Sequence, residues 1–135
     1  MQQFYGSSPG MLIVLHGGAG PQDPSSEGID RAIKSLRRIG NAARKQLIAG
    51  ENLIDVATFC LGKLEDDPQF NAGVGSALQG DGIARLTASL MDGHKQIFSG
   101  VISATYLQHP SILVKALQNR SAKVLTGPGT ELLAR

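Results

Sequence analysis

Tryptophan is absent from the sequence, and aromatic residues make up only 4% of it. So few rings argue against a stacking platform for nucleic-acid bases. One cysteine, Cys60, excludes an internal disulfide. It falls on the apolar face of a helical pattern and reads as a buried, inert residue. No apolar run approaches the ~18 residues of a membrane span. Met1–Gly10 lacks the basic start and apolar middle of a signal peptide, so the expected setting is reducing and cytoplasmic. The net charge of +2 is too small to imply a nucleic-acid partner. Charged residues, at 18%, fall below the usual ~25%.

Glycine is what the chain has in excess: 17 in 135 residues, about twice the usual share of ~7%. The glycines cluster without a fixed period, which excludes collagen and repeat arrays. The cluster at Phe70-Asn71-Ala72-Gly73-Val74-Gly75-Ser76 stands out. Two glycines one residue apart let the backbone approach another segment or an ion. Asn71 adds an amide with donors and acceptors. A short acidic loop, Glu65-Asp66-Asp67-Pro68, precedes it. A Gly-rich loop entering a strand fits the same residues.

A second cluster, His16-Gly17-Gly18-Ala19-Gly20, follows the apolar run Met11–Leu15. The run reads as a buried strand. The turn after it suits either a tight exit from the sheet or a nest of N–H groups for a carboxylate or oxyanion. It lacks the Gly-Lys-Ser/Thr ending of a P-loop. No acid lies near His16 in sequence, so His16 reads as a hydrogen-bonded structural residue. Gly6-Ser-Ser8-Pro-Gly10 matches G-x-S-x-G formally, but a nucleophile elbow needs a strand before it and a helix after it. Here a strand follows, so the match is chance.

The remaining periodicity gives helices over Glu27–Ala49, capped by Ser25 or Ser26, and over Asn52–Leu64. The Lys and Arg residues of the first helix read as a solvated face. Strands are expected over Ala84–Leu90, Gln96–Leu107 and Lys123–Thr126, with Ser76–Leu78 pairing as a hairpin through Gln79–Gly82. Gly100 marks a bulge or a close backbone approach. A short helix starts at Pro110 and another at Thr130. Helices and strands fall in blocks, which predicts a layered α+β fold and no Rossmann alternation. Residues 1–10 are expected as a flexible tail and 11–135 as one domain.

Three segments together resemble the plant-type L-asparaginase/isoaspartyl peptidase family. They are the strand with His16–Gly20, then Leu64–Ser76, then Ala88-Ser-Leu-Met-Asp-Gly93. Gly100–Ser103, Pro110–Val114 and Lys123–Gly129 follow in similar order and spacing. The resemblance implies an N-terminal-nucleophile (Ntn) hydrolase with a four-layer αββα sandwich, of which this chain is the N-terminal, α-subunit half. Family precursors cleave themselves, and the new N-terminal threonine of the β subunit is both nucleophile and base. No matching threonine segment occurs here, so no catalytic residue is expected in this chain and it should be inert alone. The implied partners are the β subunit of the same precursor, in an (αβ)2 assembly, and a small-molecule or dipeptide substrate.

By the same resemblance, Gly17, Gly18 and Asn71 support the active site. The main-chain carbonyls of Leu64, Glu65, Asp67, Phe70, Ala72 and Val74 hold a structural sodium ion. Three departures from the family pattern bear on substrate preference. Thr87 replaces a usual Asp, Gln108-His109-Pro110 replaces Asn-Pro, and Gly-Val-Ile-Ser103 replaces Gly-Ala-Val-Ala. A non-catalytic binding or scaffold module is the alternative. An α/β-hydrolase reading of His16–Gly20 lacks its nucleophile elbow.

Overall fold

A computed structural model of the chain describes residues 3–8, 10–18 and 25–134. Two helix-backed sheets result, consistent with the layered α+β expectation. Strand β1 (Gln3–Ser8) pairs antiparallel with β2 (Met11–His16), from Gln3 opposite His16 to Ser8 opposite Met11. The expected loose tail therefore carries a strand. Its composition shows no alternation, and it takes its conformation from the ladder that β2 offers. The hairpin also confirms that Gly6–Gly10 is no strand-to-helix elbow.

Helix α1 (Ser26–Ile48) starts where the Ser25 hydroxyl accepts the Gly28 N–H at 3.1 Å. Its apolar stripe packs on β1 and β2. Helix α2 (Leu53–Glu65) follows, with the Asn52 side chain accepting the Ile54 N–H at 2.8 Å. Val56 and Cys60 join Leu15, Leu36, Ile39, Ala43, Leu47 and Phe70 in one core. Ile54 and Ala57, on the other side of α2, pack against a second core of Leu90, Val101, Leu113, Val114 and Leu117. An apolar helix with two buried faces thus joins the two sheets. Cys60 is buried as expected, and burial pushes its thiol up to about 11. Gly62 lies inside α2 with open space where a Cβ would point. Gly62→Ala should stabilise the fold by about 0.5–1 kcal/mol in urea unfolding, because alanine restricts the unfolded chain and favours helix.

The second sheet orders β3 (Leu86–Asp92), β4 (Ile97–Ala104) and β5 (Val124–Thr126), antiparallel then parallel. Helix α3 (Pro110–Leu117) covers one face of it, and α4 (Pro128–Ala134) packs at β4 and β5. Two buried polar side chains pin α3 to this sheet: the Ser99 hydroxyl on β4 donates to Val114 O at 2.8 Å, and the amide of Gln118, the helix's C-cap residue, donates to Leu90 O at 3.1 Å.

Three sequence expectations need correction. Met11–Leu15 is buried on one face only: Leu15 is 6% exposed, whereas Leu12 is 66% exposed. Helices cover a single side of the sheet, so a continuous apolar run serves just half its length. Ser76–Leu78 forms no ladder. The Asn71 amide oxygen takes the Ala77 N–H at 2.9 Å, a donor the ladder would have used. The bulge sits between the pairs Leu86/Ala104 and Ala88/Val101, at Ser103 (φ +58°), and not at Gly100, which pairs regularly.

Candidate functional site

The loop after α2 is held by three consecutive acids that point to three different places. Glu65 is 5% exposed. Its carboxylate accepts the Ser111 N–H at 3.0 Å and the Ser111 hydroxyl at 2.6 Å. It therefore caps α3, whose own N-cap residue, His109, contributes no side-chain cap. Burial pushes the Glu65 carboxyl up, and the two Ser111 bonds oppose that shift. Asp66 Oδ1 lies 2.7 Å from His109 Nε2, and Lys63 reaches its other oxygen at 3.2 Å. The bonds from His109 and then Lys63 hold the Asp66 carboxyl below its ordinary value. Asp67 turns the opposite way. It accepts the Ser35 hydroxyl on α1 and the Gln69 N–H, with Arg38 at 3.7 Å.

Beyond the acids the chain curls back on itself. A Cβ on Gly73 would lie 2.2 Å from the Glu65 carbonyl oxygen, and φ there is +50°. A Cβ on Gly75 would lie 2.2 Å from the Phe70 carbonyl oxygen and 2.9 Å from that of Pro68. Only glycine permits either approach. Phe70 is buried, and a Cβ on Gly17 would come within 2.8 Å of its ring. The turn after β2 and the loop after α2, far apart in sequence, therefore meet at Gly17 and Phe70.

The donor set that this curl offers is backbone oxygen. The side chains of Glu65 and Asp67 are engaged elsewhere, and no group of three His, Cys, Asp or Glu side chains among the described residues forms a metal site. The Asp67, Phe70 and Ala72 carbonyls each accept one loop N–H and keep a second lone pair. Carbonyls alone suit a hard monovalent cation better than a divalent one. The free lone pairs of these three carbonyls have the chemistry such an ion takes, whereas the Leu64 carbonyl already accepts the Asp66 and Asp67 N–H groups.

Asn71 lines a 350 Å³ cavity together with Glu65, Gly73, Arg85, Thr87 and Pro110. Gly18 has open space around it, and its N–H donates to His16 Nδ1 at 3.1 Å. That bond gives His16 the structural role expected of it. Val74 is exposed. Ala19 and Gly20 lie outside the described residues.

A family model described as asparaginase matches residues 9–135. The chain belongs to the asparaginase family. It is 39% identical over 123 residues to an isoaspartyl peptidase/L-asparaginase of Synechocystis sp., covering 91% of this chain and 37% of that protein. It is 35% identical over 127 residues to an isoaspartyl peptidase of Salmonella typhimurium, covering 91% and 41%. With the isoaspartyl peptidase/L-asparaginase of Rattus norvegicus the identity is 34% over 132 residues, covering 92% and 37%. The chain thus spans about two-fifths of the length of these family members. No helix among the described residues is long and apolar enough to cross a membrane.

Thr87 and His109, two positions singled out in the sequence, have structural uses. The Thr87 hydroxyl accepts the Ser103 N–H at 3.3 Å, across the bulge. His109 binds Asp66 while Glu65 supplies the cap of α3. Arg85, which also lines the cavity, grips Asp81 with bonds of 2.6 and 3.0 Å and Gln79 with one of 2.8 Å. These bonds, followed by the Ile83 N–H, hold the Asp81 carboxyl down at about 2. A lowered carboxyl favours the folded state above its unfolded pKa of ~3.9, and that contribution vanishes as pH falls through about 2. Carbon NMR titration should find the Asp81 midpoint near 2, returning toward the ordinary value in Arg85→Ala.

Proposed function

We propose that this chain is the α-subunit portion of an Ntn hydrolase that releases aspartate from β-aspartyl peptides and L-asparagine. Its sheets and helices would form half of an αββα sandwich. The nucleophile would be the N-terminal threonine of a β subunit cut from the same precursor, the pair assembling as (αβ)2. The threonine Oγ would attack the side-chain carbonyl while its own α-amine takes the proton and passes it to the departing nitrogen, so that the C–N bond breaks and ammonia or the peptide's amino-acid amine leaves. Water then releases aspartate from the acyl-enzyme. The names of the relatives and the match over 9–135 support the activity. The observation that carries the reading is the contact of Gly17 with Phe70. It joins the two glycine motifs beside Asn71, leaving one polar cavity for the substrate-bearing side.

In this reading the carbonyls of Leu64, Glu65, Asp67, Phe70, Ala72 and Val74 hold sodium. Bound there, the ion would supply fixed positive charge that stiffens the loop carrying Asn71, and Gly17 and Gly18 would support the same site through their backbones. A reducing, cytoplasmic setting suits a chain whose one cysteine is free and buried. Thr87, its hydroxyl spent on Ser103, favours a second reading, a non-catalytic binding module. Ammonia release from asparagine and aspartate release from β-aspartyl dipeptides, assayed on the chain expressed with its threonine-led continuation, separates the two. Turnover supports the hydrolase, and none in a well-folded complex supports the module.

A further inference from the structure

We propose that Glu65 is a positioning residue whose side-chain clamp on Ser111 sets the place of Asn71. This rests on the hydrolase reading above and deepens it. Glu65 acts at two ends. Its carboxylate is buried and spends both oxygens on Ser111, at 3.0 and 2.6 Å. Its main chain is the seat of Gly73, whose Cβ, if present, would lie 2.2 Å from the Glu65 carbonyl oxygen and 2.8 Å from its Cα. Gly73 is two residues from Asn71 on the same curled loop. Moving the Glu65 side chain therefore moves the surface on which that loop rests.

Ser111 is equally well anchored. It is 1% exposed, at the start of α3, and α3 packs on β3 and β4. Strand β3 carries Leu86 and Thr87, which line the same 350 Å³ cavity as Asn71. The Glu65–Ser111 bonds thus tie the end of α2, where the Asn71 loop begins, to the helix that packs on the strand carrying Leu86 and Thr87. Asp66 and His109 form a parallel tether at 2.7 Å. Asn71 itself has a local reporter, since its Oδ1 accepts the Ala77 N–H at 2.9 Å. If the loop shifts on its seat, that bond loosens.

Glutamine in place of Glu65 can keep the clamp. Its carbonyl oxygen accepts the Ser111 N–H, and its amide donates to the Ser111 hydroxyl. Alanine removes the clamp altogether. The test compares Glu65→Ala, Glu65→Gln and Ser111→Ala in the complex with the threonine-led subunit, using a β-aspartyl dipeptide. Small misplacements of a reacting geometry cost up to about a hundredfold, so Glu65→Ala should lower kcat by about 10- to 100-fold with KM within about twofold. Ser111→Ala should fall in the same direction by less, and Glu65→Gln should recover most of kcat. Hydrogen exchange of the Ala77 amide should speed up about tenfold in Glu65→Ala and return in Glu65→Gln. Unchanged kcat per folded molecule with unchanged Ala77 exchange, whatever the thermal stability, overturns the proposal. A kcat loss that Glu65→Gln shares in full overturns it too, because then charge and not position matters. If the wild-type complex has no hydrolase activity, the functional reading fails, and Ala77 exchange alone decides whether Glu65 positions Asn71. Should Glu65→Ala not fold, Ser111→Ala carries the same readouts.

Discussion

Alanine at position 73 is expected to cost about 2–5 kcal/mol of stability, far more than a typical loop substitution. Two terms add. A residue with a Cβ pays about 1–2 kcal/mol at the positive φ of +50° seen here. The new Cβ would also lie 2.2 Å from the Glu65 carbonyl oxygen, and that oxygen belongs to the end of a packed helix. Main chain cannot swing aside as a flexible side chain can, so overpacking adds about 1–3 kcal/mol. Gly82→Ala is the control. Its φ is +78° but nothing lies within 4 Å of a Cβ, so only the conformational term applies. Urea unfolding of both variants measures the difference. Equal costs would show that the loop does not rest on α2.

The isolated chain is expected to self-associate in solution. Strands β3, β4 and β5 are covered by α3 on one face, while Met91, Phe98, Ile102 and Val124 stand exposed. Leu12 and Val14 on β2 are exposed in the same way. Burial of a large apolar side chain contributes about 1.5–3 kcal/mol, so these residues together leave on the order of 10 kcal/mol unrealised. Patches of that kind on a soluble chain mark an interface or aggregate. Light scattering after size-exclusion chromatography should find aggregates for the chain alone. The complex with the threonine-led continuation should run as a discrete species. A monodisperse monomer with a sharp thermal transition would count against the incomplete sandwich.

The parts of the fold that local chemistry dictates were legible in the sequence. Ser25 capped α1 as its hydroxyl suggested, and the three-and-four spacing of Val56, Ala57, Cys60 and Leu64 described α2. What escaped was decided by distant partners. Strand β1 has little strand character of its own and is made by β2. Ser76–Leu78 looked like half a hairpin until Asn71 took the Ala77 N–H. The cap on α3 comes from Glu65, 46 residues earlier, and no spacing rule reaches that far.

The site divides in the same way. Glycines at 73 and 75 pointed to a close backbone approach, and both make one. The resemblance placed Gly17, Gly18 and Asn71 at one site, but the meeting of Gly17 with the Phe70 ring came only from the structure. The acidic run read simply as a loop. Its three members in fact tie α1, α3 and the turn before Pro110 to a single corner. Consecutive acids ahead of a proline and a glycine cluster were the available signal, because adjacent like charges need separate partners.

The proposal stands or falls on whether this chain is the α subunit of an Ntn hydrolase cut into α and β chains. Intact-mass analysis with N-terminal sequencing of the native protein tests it most directly. The account predicts a second polypeptide that begins with threonine and copurifies with this chain. A single species of 14.2 kDa, folded and without a partner, would contradict it.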